Sequence, residues 1–271
     1  MFFDAHVHSA VSPDSEMDAH LAIAVMRKKG LGIVFTEHCD FFSQTEGKDA
    51  AATDAPRIPG DFIVDFARYH TAYPPLRAED VLLGLEFTLS AAFLPLNTQT
   101  ADNGYDFILG AVHTVDGLDL YYDAKNEPAE NLCRRYLTYA KEMVELCGFF
   151  DALAHIDYIC RYAPQMHYWL RYDKCPREFD ALLKALAERG KAFEINTKRF
   201  AETGVKEALF PIYQRFAQLG GRFVTIGSDA HEPAHLARHF NEARQMAQEA
   251  GLRPVYFRER TLYYCGSNQK G

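Results

Sequence analysis

Histidine and carboxylate residues recur along this chain directly after short apolar runs. His6 and His8 stand two residues apart near the start, and Asp229 and His231 repeat that spacing near the end. Side chains two apart on an extended segment point to the same side, so each pair can converge on one cation. Imidazole nitrogens and carboxylate oxygens together suit zinc, iron or manganese. The spacing therefore predicts that divalent metal ions bind here.

Other candidate ligands share this position at the end of an apolar run: Glu37, His38, Glu86, His113, His155 and Glu194. Because Glu37 and His38 are neighbours, they face opposite ways in an extended segment, and we favour His38 as the ligand. Glu37 would then orient it from behind. An isolated histidine or glutamate of this kind is more often a hydrogen-bonded structural residue. Burying this many unpaired polar groups together would be very costly, and cations offset that cost.

Seven apolar runs must position these groups, and segments of helical periodicity separate them. The predicted strands cover residues 2–7, 31–35, 81–85, 107–112, 150–154, 192–195 and 222–226, with 255–257 as a candidate eighth. The predicted helices cover residues 17–29, 61–73, 128–146, 176–189, 206–219 and 233–250. The alternation indicates βα units around a parallel sheet. Polar groups at the strand ends are typical of barrel enzymes, whose active sites lie at the C-terminal face.

Composition limits the partners and the compartment. The 271 residues carry 29 Lys and Arg against 37 Asp and Glu, a net charge of -8, which argues against binding to nucleic acid or to an anionic membrane. We interpret residues 1–271 as one α/β domain. The six scattered cysteines indicate reduced thiols, and the chain has neither a leader pattern nor about 18 consecutive apolar residues. We therefore expect a cytoplasmic protein.

The order of the candidate ligands resembles the polymerase and histidinol phosphatase (PHP) family, with nine matching positions between residues 4 and 231. Those positions are His6, His8, Asp14, His38, Glu86, His113, His155, Asp229 and His231. The resemblance implies a distorted TIM-like barrel of seven βα units that holds two or three zinc, iron or manganese ions. It implies three ligand sets: His6, His8, Glu86 and Asp229; Glu86, His113 and His155; and Asp14, His38 and His231. Many relatives have histidine at the position of Asp14, where a carboxylate still serves as a ligand.

The resemblance also implies a reaction. The chain resembles the histidinol-phosphatase branch of the family. We therefore expect it to hydrolyse L-histidinol phosphate to L-histidinol and phosphate, which is a step of histidine biosynthesis. Three divalent ions carry more positive charge than the three carboxylate ligands return, which suits a phosphate dianion. A hydroxide bridging two metals would attack phosphorus. Asp229, His231 or His38 would move the protons, and Arg161 and Arg199 would hold the non-bridging oxygens.

Residues outside the ligand set are candidates for substrate binding. Arg161 and Arg199 follow strand ends, and a guanidinium matches a phosphate bidentately. Lys198 is a third phosphate candidate, and Glu37 and Glu194 could receive the ammonium or imidazole of histidinol phosphate. The segment 39–60 could close over the site. Four aromatic residues could stack on a heterocycle: Tyr158, Tyr162, Tyr168 and Trp169. We expect the remaining histidines to be structural: His20, His70, His167, His235 and His239.

Other functions remain open at this point. Nucleases, nucleoside-bisphosphate phosphatases and protein-tyrosine phosphatases of the same family would share the metal site. A non-catalytic metal-binding module would keep the ligands but could lose the open phosphate-binding side. The acidic balance favours a small-molecule phosphate ester over nucleic acid. The sequence leaves the metals and the oligomeric state open.

Overall fold

The protein is a distorted barrel of seven parallel strands with helices outside. The computed structural model describes residues 1–41, 62–116, 118–120, 127–163 and 165–266. The strands are β1 Phe3–Val7, β2 Gly32–Asp40, β3 Phe62–Ile63, β4 Val81–Thr88, β5 Phe107–Ala111, β6 Thr114–Val115, β7 Leu118–Asp119, β8 Ala152–Leu153, β9 Ala192–Asn196, β10 Phe223–Gly227, β11 Arg253–Arg258 and β12 Thr261–Tyr264. The barrel order is β1, β2, β4, β5, β8, β9, β10, and every pairing along it is parallel. This confirms the expected seven βα units.

Helices connect the barrel strands on the outside. They are α1 Ala19–Lys28, α2 Phe66–Ala72, α3 Leu94–Ala101, α4 Ala129–Leu146, α5 Met166–Trp169, α6 Pro176–Glu188, α7 Val205–Gln218 and α8 Phe240–Glu249. Short 3-10 turns cover Pro74–Leu76, Tyr158–Arg161 and Pro233–His235. Across the part of the chain that the structure describes, no helix has the length and apolar character to cross a membrane. The cytoplasmic location stays a prediction.

The first and last barrel strands meet at their C-terminal ends. The amide of Asp229 donates to the carbonyl of His6 at 2.8 Å, and the amide of His8 donates to the carbonyl of Ala230 at 2.9 Å. Val7 and Ala230 form the parallel bridge there. The barrel therefore closes through the backbone of two segments that carry candidate ligands, and closure brings those ligands together.

Apolar side chains fill the barrel below its C-terminal mouth. They form one buried cluster: Phe3, Ala5, Val34, Leu82, Phe107, Leu109, Ala111, Ala152, Ala154, Ala192, Val255, Tyr256 and Phe257. The antiparallel hairpin of β11 and β12 supplies the floor, where Tyr256 stacks on Phe3 at 4.4 Å and Phe257 on Phe107 at 5.4 Å between ring centroids. Packed apolar residues thus confine the polar groups to the mouth.

Strand alternation explains why the candidate ligands point into the mouth. Because strand side chains alternate between faces, Leu82 and Glu86 share a face of β4, and Leu109 and His113 share a face at β5. Leu82 and Leu109 belong to the interior cluster. The polar residues thus continue inward-facing rows that begin in the core. In β1 a register shift between Asp4 and Val7 interrupts the alternation. A bulge of this kind re-aims side chains and lets His6 join the site.

The helix predictions were right in type and wrong at several boundaries. The predicted helix 233–250 is two pieces, because Ala237 and His239 have positive φ angles of 51° and break it. The predicted helix 61–73 begins only at Phe66, capped by Asp65. Residues 158–175 lie between the predicted helices but contain a 3-10 turn and α5. Helix α3 is also absent from the prediction, because its sequence lacks an apolar stripe. The expected closing segment 39–60 lies outside the described residues from position 42 onward.

Close strand packing under the site predicts a stability effect at Gly84. A Cβ at this position would overlap the backbone carbonyl of Phe107 in the neighbouring strand, and backbone cannot move aside cheaply. We expect Gly84→Ala to lower the free energy of unfolding by about 1–3 kcal/mol, measured by denaturant titration. Gly148→Ala is the control, since its Cβ would meet nothing within 4 Å. Equal stability of the two variants would contradict this packing.

Candidate metal centre

The structure brings all nine predicted ligands together at the C-terminal mouth of the barrel. They fall into four overlapping groups, within each of which the ligand atoms lie within 4.8 Å of one another. The groups are His8, Asp14, His38 and His231; His6, His8 and Glu86; His6, His155 and Asp229; and Glu86, His113 and His155. The third group pairs Asp229 with His155, which the family resemblance had assigned to a different ion. The five histidines expected to be structural occur in none of these groups.

The Glu86 carboxylate lies at the centre and faces five imidazoles. Its Oε2 is 3.3 Å from His6 Nε2, 3.5 Å from His8 Nε2 and 3.2 Å from His38 Nδ1. Its Oε1 is 2.8 Å from His155 Nε2 and 3.4 Å from His113 Nε2. Burial opposes the charge of this group, but the neighbouring His6 and His113 outweigh burial and hold the pKa of Glu86 well below its usual range. One carboxylate oxygen toward each group of imidazoles is the arrangement of a bridging ligand.

His6 and His8 direct their Nε2 atoms at each other, 3.0 Å apart. His6 Nδ1 lies 2.7 Å from Glu194 Oε1, and His8 Nδ1 lies 3.4 Å from Ser12 Oγ. If both Nδ1 atoms donate there, both Nε2 lone pairs point at one spot and repel unless a proton or a metal ion lies between them. The donor set therefore fits a metal ion.

Glu194 orients His6 rather than facing a substrate. Its Oε2 accepts from the His155 amide at 2.7 Å and from Asn196 Nδ2 at 3.1 Å, so both oxygens are engaged, and the residue is fully buried. This placement differs from the expected role in binding an ammonium or imidazole group. Burial would raise the pKa of Glu194, but the charge of His6 and its hydrogen bond lower it.

Glu37 is likewise buried and occupied by the turn that follows β1. It accepts hydrogen bonds from the Ser9 amide at 3.0 Å, from the Ser9 hydroxyl and from Ser12 Oγ at 2.6 Å. Ser12 Oγ also accepts from the His38 amide at 3.0 Å. Glu37 therefore fixes the loop on which His8 and His38 depend, and it does not point at a substrate. Glu37 supports His38 indirectly, because Ser12 donates to Glu37 and accepts from the His38 amide.

Asp40 supports two further ligands and was not singled out from the sequence. Its Oδ2 lies 3.2 Å from His113 Nδ1 and 3.4 Å from His38 Nδ1. Burial opposes the positive charge of His113, but Asp40 and Glu86 raise its pKa to about 9. Asp40 follows His38 by two residues in β2, so strand alternation was the available signal.

The third predicted ligand set is also assembled, with Asp14 at its edge. Asp14 Oδ2 lies 2.9 Å from His231 Nε2 and 3.5 Å from His38 Nε2. The Nδ1 of His231 lies 3.1 Å from the Asp229 carbonyl, an arrangement that leaves Nε2 for a cation. The Asp14 side chain is 36% exposed, whereas His38 and His231 are 11% and 19% exposed. This side of the centre therefore opens to solvent.

Two cations contact Asp229 at the opposite side. Arg161 Nη2 donates to Oδ2 at 2.6 Å, and Lys198 Nζ donates to Oδ1 at 2.8 Å. Burial would raise the pKa of Asp229, but Arg161 and Lys198 lower it well below its usual range. Arg161 Nε is buried without a hydrogen-bond partner in the described structure. Arg161 and Lys198 thus bring positive charge to the ligand cluster.

Arg199 does not accompany them. Its Nη1 donates to Asp157 at 2.9 Å, its Nε and Nη2 donate to Glu202, and its Nη2 also contacts His167 at 2.7 Å. The side chain is only 6% exposed. The structure therefore does not bring Arg199 to Asp229 beside Arg161; Lys198, the neighbouring residue, is the one that reaches Asp229.

Of the four aromatic candidates, Tyr158 contacts the ligand histidines. The ring of Tyr158 lies 4.5 Å from that of His113 and 5.2 Å from that of His155, and Arg161 lies over its face at 5.2 Å. Tyr158 therefore packs behind the ligands. Tyr162 contacts the edge of Tyr158, and Tyr168 packs on Trp169 and is largely exposed.

Asp4 is another supporting residue that the sequence analysis missed. Its carboxylate is fully buried and accepts from the Ser228 amide at 2.8 Å, the Ser228 hydroxyl at 2.6 Å and the Ala237 amide at 2.8 Å. These bonds fix the backbone directly before Asp229. The signal was an aspartate inside a buried strand whose other polar residue is the ligand His6.

Comparison with known proteins agrees with this geometry. A family model described as "PHP domain" matches residues 4–198. A protein of Clostridium acetobutylicum named "Probable histidinol-phosphatase" is 36% identical over 268 residues, which cover 98% of this chain and 100% of that protein. The "Histidinol-phosphatase" of Lactococcus lactis is 28% identical over 263 residues, covering 92% and 91%. The full-length relatives extend past the family match and include the part that holds Asp229 and His231.

A solved structure gives the same result for the fold. The crystal structure of histidinol phosphate phosphatase from Lactococcus lactis, complexed with zinc, L-histidinol and phosphate, superposes with a TM-score of 0.83. It is 26% identical and covers 97% of this chain and 98% of its own. The barrel and the arrangement of its strands are therefore shared with a protein whose crystals hold zinc, L-histidinol and phosphate.

The contacts of Glu194 predict a loss of metal binding when its charge is removed. Both carboxylate oxygens of Glu194 accept hydrogen bonds. In Glu194→Gln the amide nitrogen must therefore face a group that is itself a donor. We expect metal affinity to fall about 10–100-fold, measured by competition with a chelator. Hydrolysis of histidinol phosphate and of a neutral aryl phosphate should decline together. Glu188→Gln is the exposed control. Full metal retention with a raised KM only for the cationic substrate would restore the substrate-binding role.

Proposed function

The chain belongs to the PHP domain family, and from that membership we propose that it is a metal-dependent phosphomonoesterase that hydrolyses L-histidinol phosphate. Relatives that match almost its whole length are named histidinol-phosphatases. The products are L-histidinol and phosphate, the two molecules bound in the Lactococcus lactis crystal. The substrate is thus a small phosphate ester.

The position of Glu86 carries this proposal. One of its oxygens faces His6 and His8, and the other faces His113 and His155. A buried carboxylate placed between imidazoles would help to hold two divalent ions, which is the kind of centre that two-metal phosphatases use. The group of Asp14, His38 and His231 would hold a third ion. Zinc, iron and manganese all suit this mixture of donors, and a zinc-containing relative favours zinc.

Bound divalent ions would supply Lewis acidity and lower the pKa of water at this place. The side chains of this protein would do the rest. Arg161 and Lys198 lie on Asp229 and would share their positive charge with the phosphate oxygens. Asp229, which both cations keep charged, would accept a hydrogen bond from the attacking water and orient it. Attack occurs at phosphorus, and the ester oxygen leaves as the alcohol.

Protonation of the departing alcohol falls to the solvent-facing side. His231 and His38 share Asp14 there, and this edge is more exposed than the ring around Glu86. With two ions bound around Glu86, we assign proton delivery to these two histidines; a third ion would take them as ligands instead. Glu194 and Glu37 would hold the ligand side chains and their loop in place.

Substrate preference tests the proposal directly. Phosphate release should be fastest from L-histidinol phosphate in a panel of sugar, nucleotide and aryl phosphates, on protein whose metals are counted by elemental analysis. Two or three ions per chain and loss of activity on chelation are expected. A preference for another ester with the metals present would keep the phosphatase and discard this substrate. Inactivity of metal-replete protein on every ester would favour a metal-binding module.

The contact between Arg161 and Asp229 predicts a phosphate-binding defect in Arg161→Met. Loss of one charge-assisted hydrogen-bond donor to phosphate should raise KM about 10–100-fold for every ester, whatever its alcohol. Inhibition by inorganic phosphate should weaken by the same factor. Arg27→Met is the control, since Arg27 lies at the surface on Asp80. An unchanged inhibition constant for phosphate in Arg161→Met would remove Arg161 from phosphate binding.

A further inference from the structure

Two cysteine sulfurs lie side by side outside the metal centre. Cys133 belongs to α4 and Cys175 directly precedes α6, and both side chains are fully buried. Their Sγ atoms are 3.3 Å apart, and 42 residues separate them along the chain. A disulfide needs about 2.05 Å between the sulfurs, so a small movement would join them. We propose that Cys133 and Cys175 form a redox-active dithiol that a peroxide converts to a disulfide.

The surroundings distinguish the two thiols. Cys175 is the N-cap of the 13-residue helix α6, and the positive end of a helix favours a thiolate. The Cys175 thiol donates to the Cys133 sulfur, whose own proton goes to the Trp169 carbonyl. Contact with Cys133 and the charge of Arg134 lower the pKa of Cys175. Contact with Cys175 and burial raise the pKa of Cys133. Cys175 is therefore the nucleophile, and Cys133 is the resolving thiol.

The reaction balances with peroxide as the oxidant. The Cys175 thiolate attacks one peroxide oxygen, the O–O bond breaks, and a sulfenic acid forms with release of water. Cys133 then loses its proton and attacks the Cys175 sulfur, which expels the hydroxyl group as a second water. Two thiols lose two electrons and two protons, and one peroxide becomes two waters. A small-molecule thiol reverses the step by exchange.

The disulfide would act on the segment that carries part of the proposed active site. The loop it closes contains His155, Tyr158 and Arg161. In the dithiol, Cys133 donates to the carbonyl of Trp169 at 3.3 Å, and that donor disappears on oxidation. Closing a loop of this length lowers the entropy of the unfolded chain. The resulting gain in folding free energy exceeds the contribution of one thiol hydrogen bond. The oxidised protein should therefore melt at a higher temperature.

Thiol chemistry on the folded, full-length protein tests the proposal, and its readout does not depend on the phosphatase activity. The protein is treated with hydrogen peroxide, quenched, and measured by intact mass and peptide mapping. We expect a loss of two hydrogens, a Cys133–Cys175 cross-linked peptide, a rise in melting temperature of several degrees, and reversal by dithiothreitol. Cys147→Ser is the matched control, because Cys147 is also buried at the end of α4 and burial raises its pKa to about 11.

The two single variants separate the roles of the thiols. In Cys133→Ser the sulfenic acid of Cys175 has no resolving partner, so dimedone should label Cys175. In Cys175→Ser neither a disulfide nor dimedone labelling of Cys133 should appear, while Cys147→Ser should behave like the parent protein. Pairing with another cysteine, cross-linking only in urea, or unmodified thiols after peroxide treatment would each overturn the proposal.

Discussion

The position of one buried carboxylate, Glu86, constrains the rest of the site. Five imidazoles converge on its two oxygens, and taking an uncompensated carboxylate out of water is very costly. Positive charge must therefore stay close to it, whether on the imidazoles or on metal ions. Each ligand histidine must also keep one nitrogen directed at the centre. The surrounding residues are best understood as a set of restraints on those ring orientations.

The barrel provides these restraints by separating its contents into two layers. Below, aromatic and aliphatic side chains fill the interior, and the β11–β12 hairpin closes the floor with Tyr256 and Phe257. Above, the same inward-facing rows end in ligands. Because strands are stiff and paired on both sides, the ligand positions inherit the register of the sheet. The narrow fit at Gly84, whose neighbour is the backbone of Phe107, shows how little freedom that register leaves.

Sequence reasoning recovers the ligands because their position depends on one simple rule. Every parallel strand delivers its C-terminal end to the same face of the barrel, so a polar residue after an apolar run must lie there. Roles that depend on the direction of one side chain do not follow from this rule. Lys198 and Arg199 are neighbours with the same charge, yet one reaches Asp229 and the other reaches Asp157. Glu194 also lies at the end of an apolar run, as the ligands do. Its role differs because it contacts His6, whose direction depends on a bulge in β1 that the sequence pattern does not predict.

The four buried acids around the ligands divide by the kind of partner they hold. Asp4 and Glu37 accept from backbone amides and hydroxyls, and burial raises the pKa of both despite those bonds. Glu194 and Asp40 face His6 and His113, whose charge outweighs burial and lowers the pKa of Glu194 and brings that of Asp40 to about 2. The first pair fixes main chain, at Ser228 and at Ser9. Glu194 and Asp40 can each accept the Nδ1 proton of a histidine whose Nε2 binds a cation. They would therefore keep the rings in the same orientation whether the Nε2 atoms carry a proton or a metal ion.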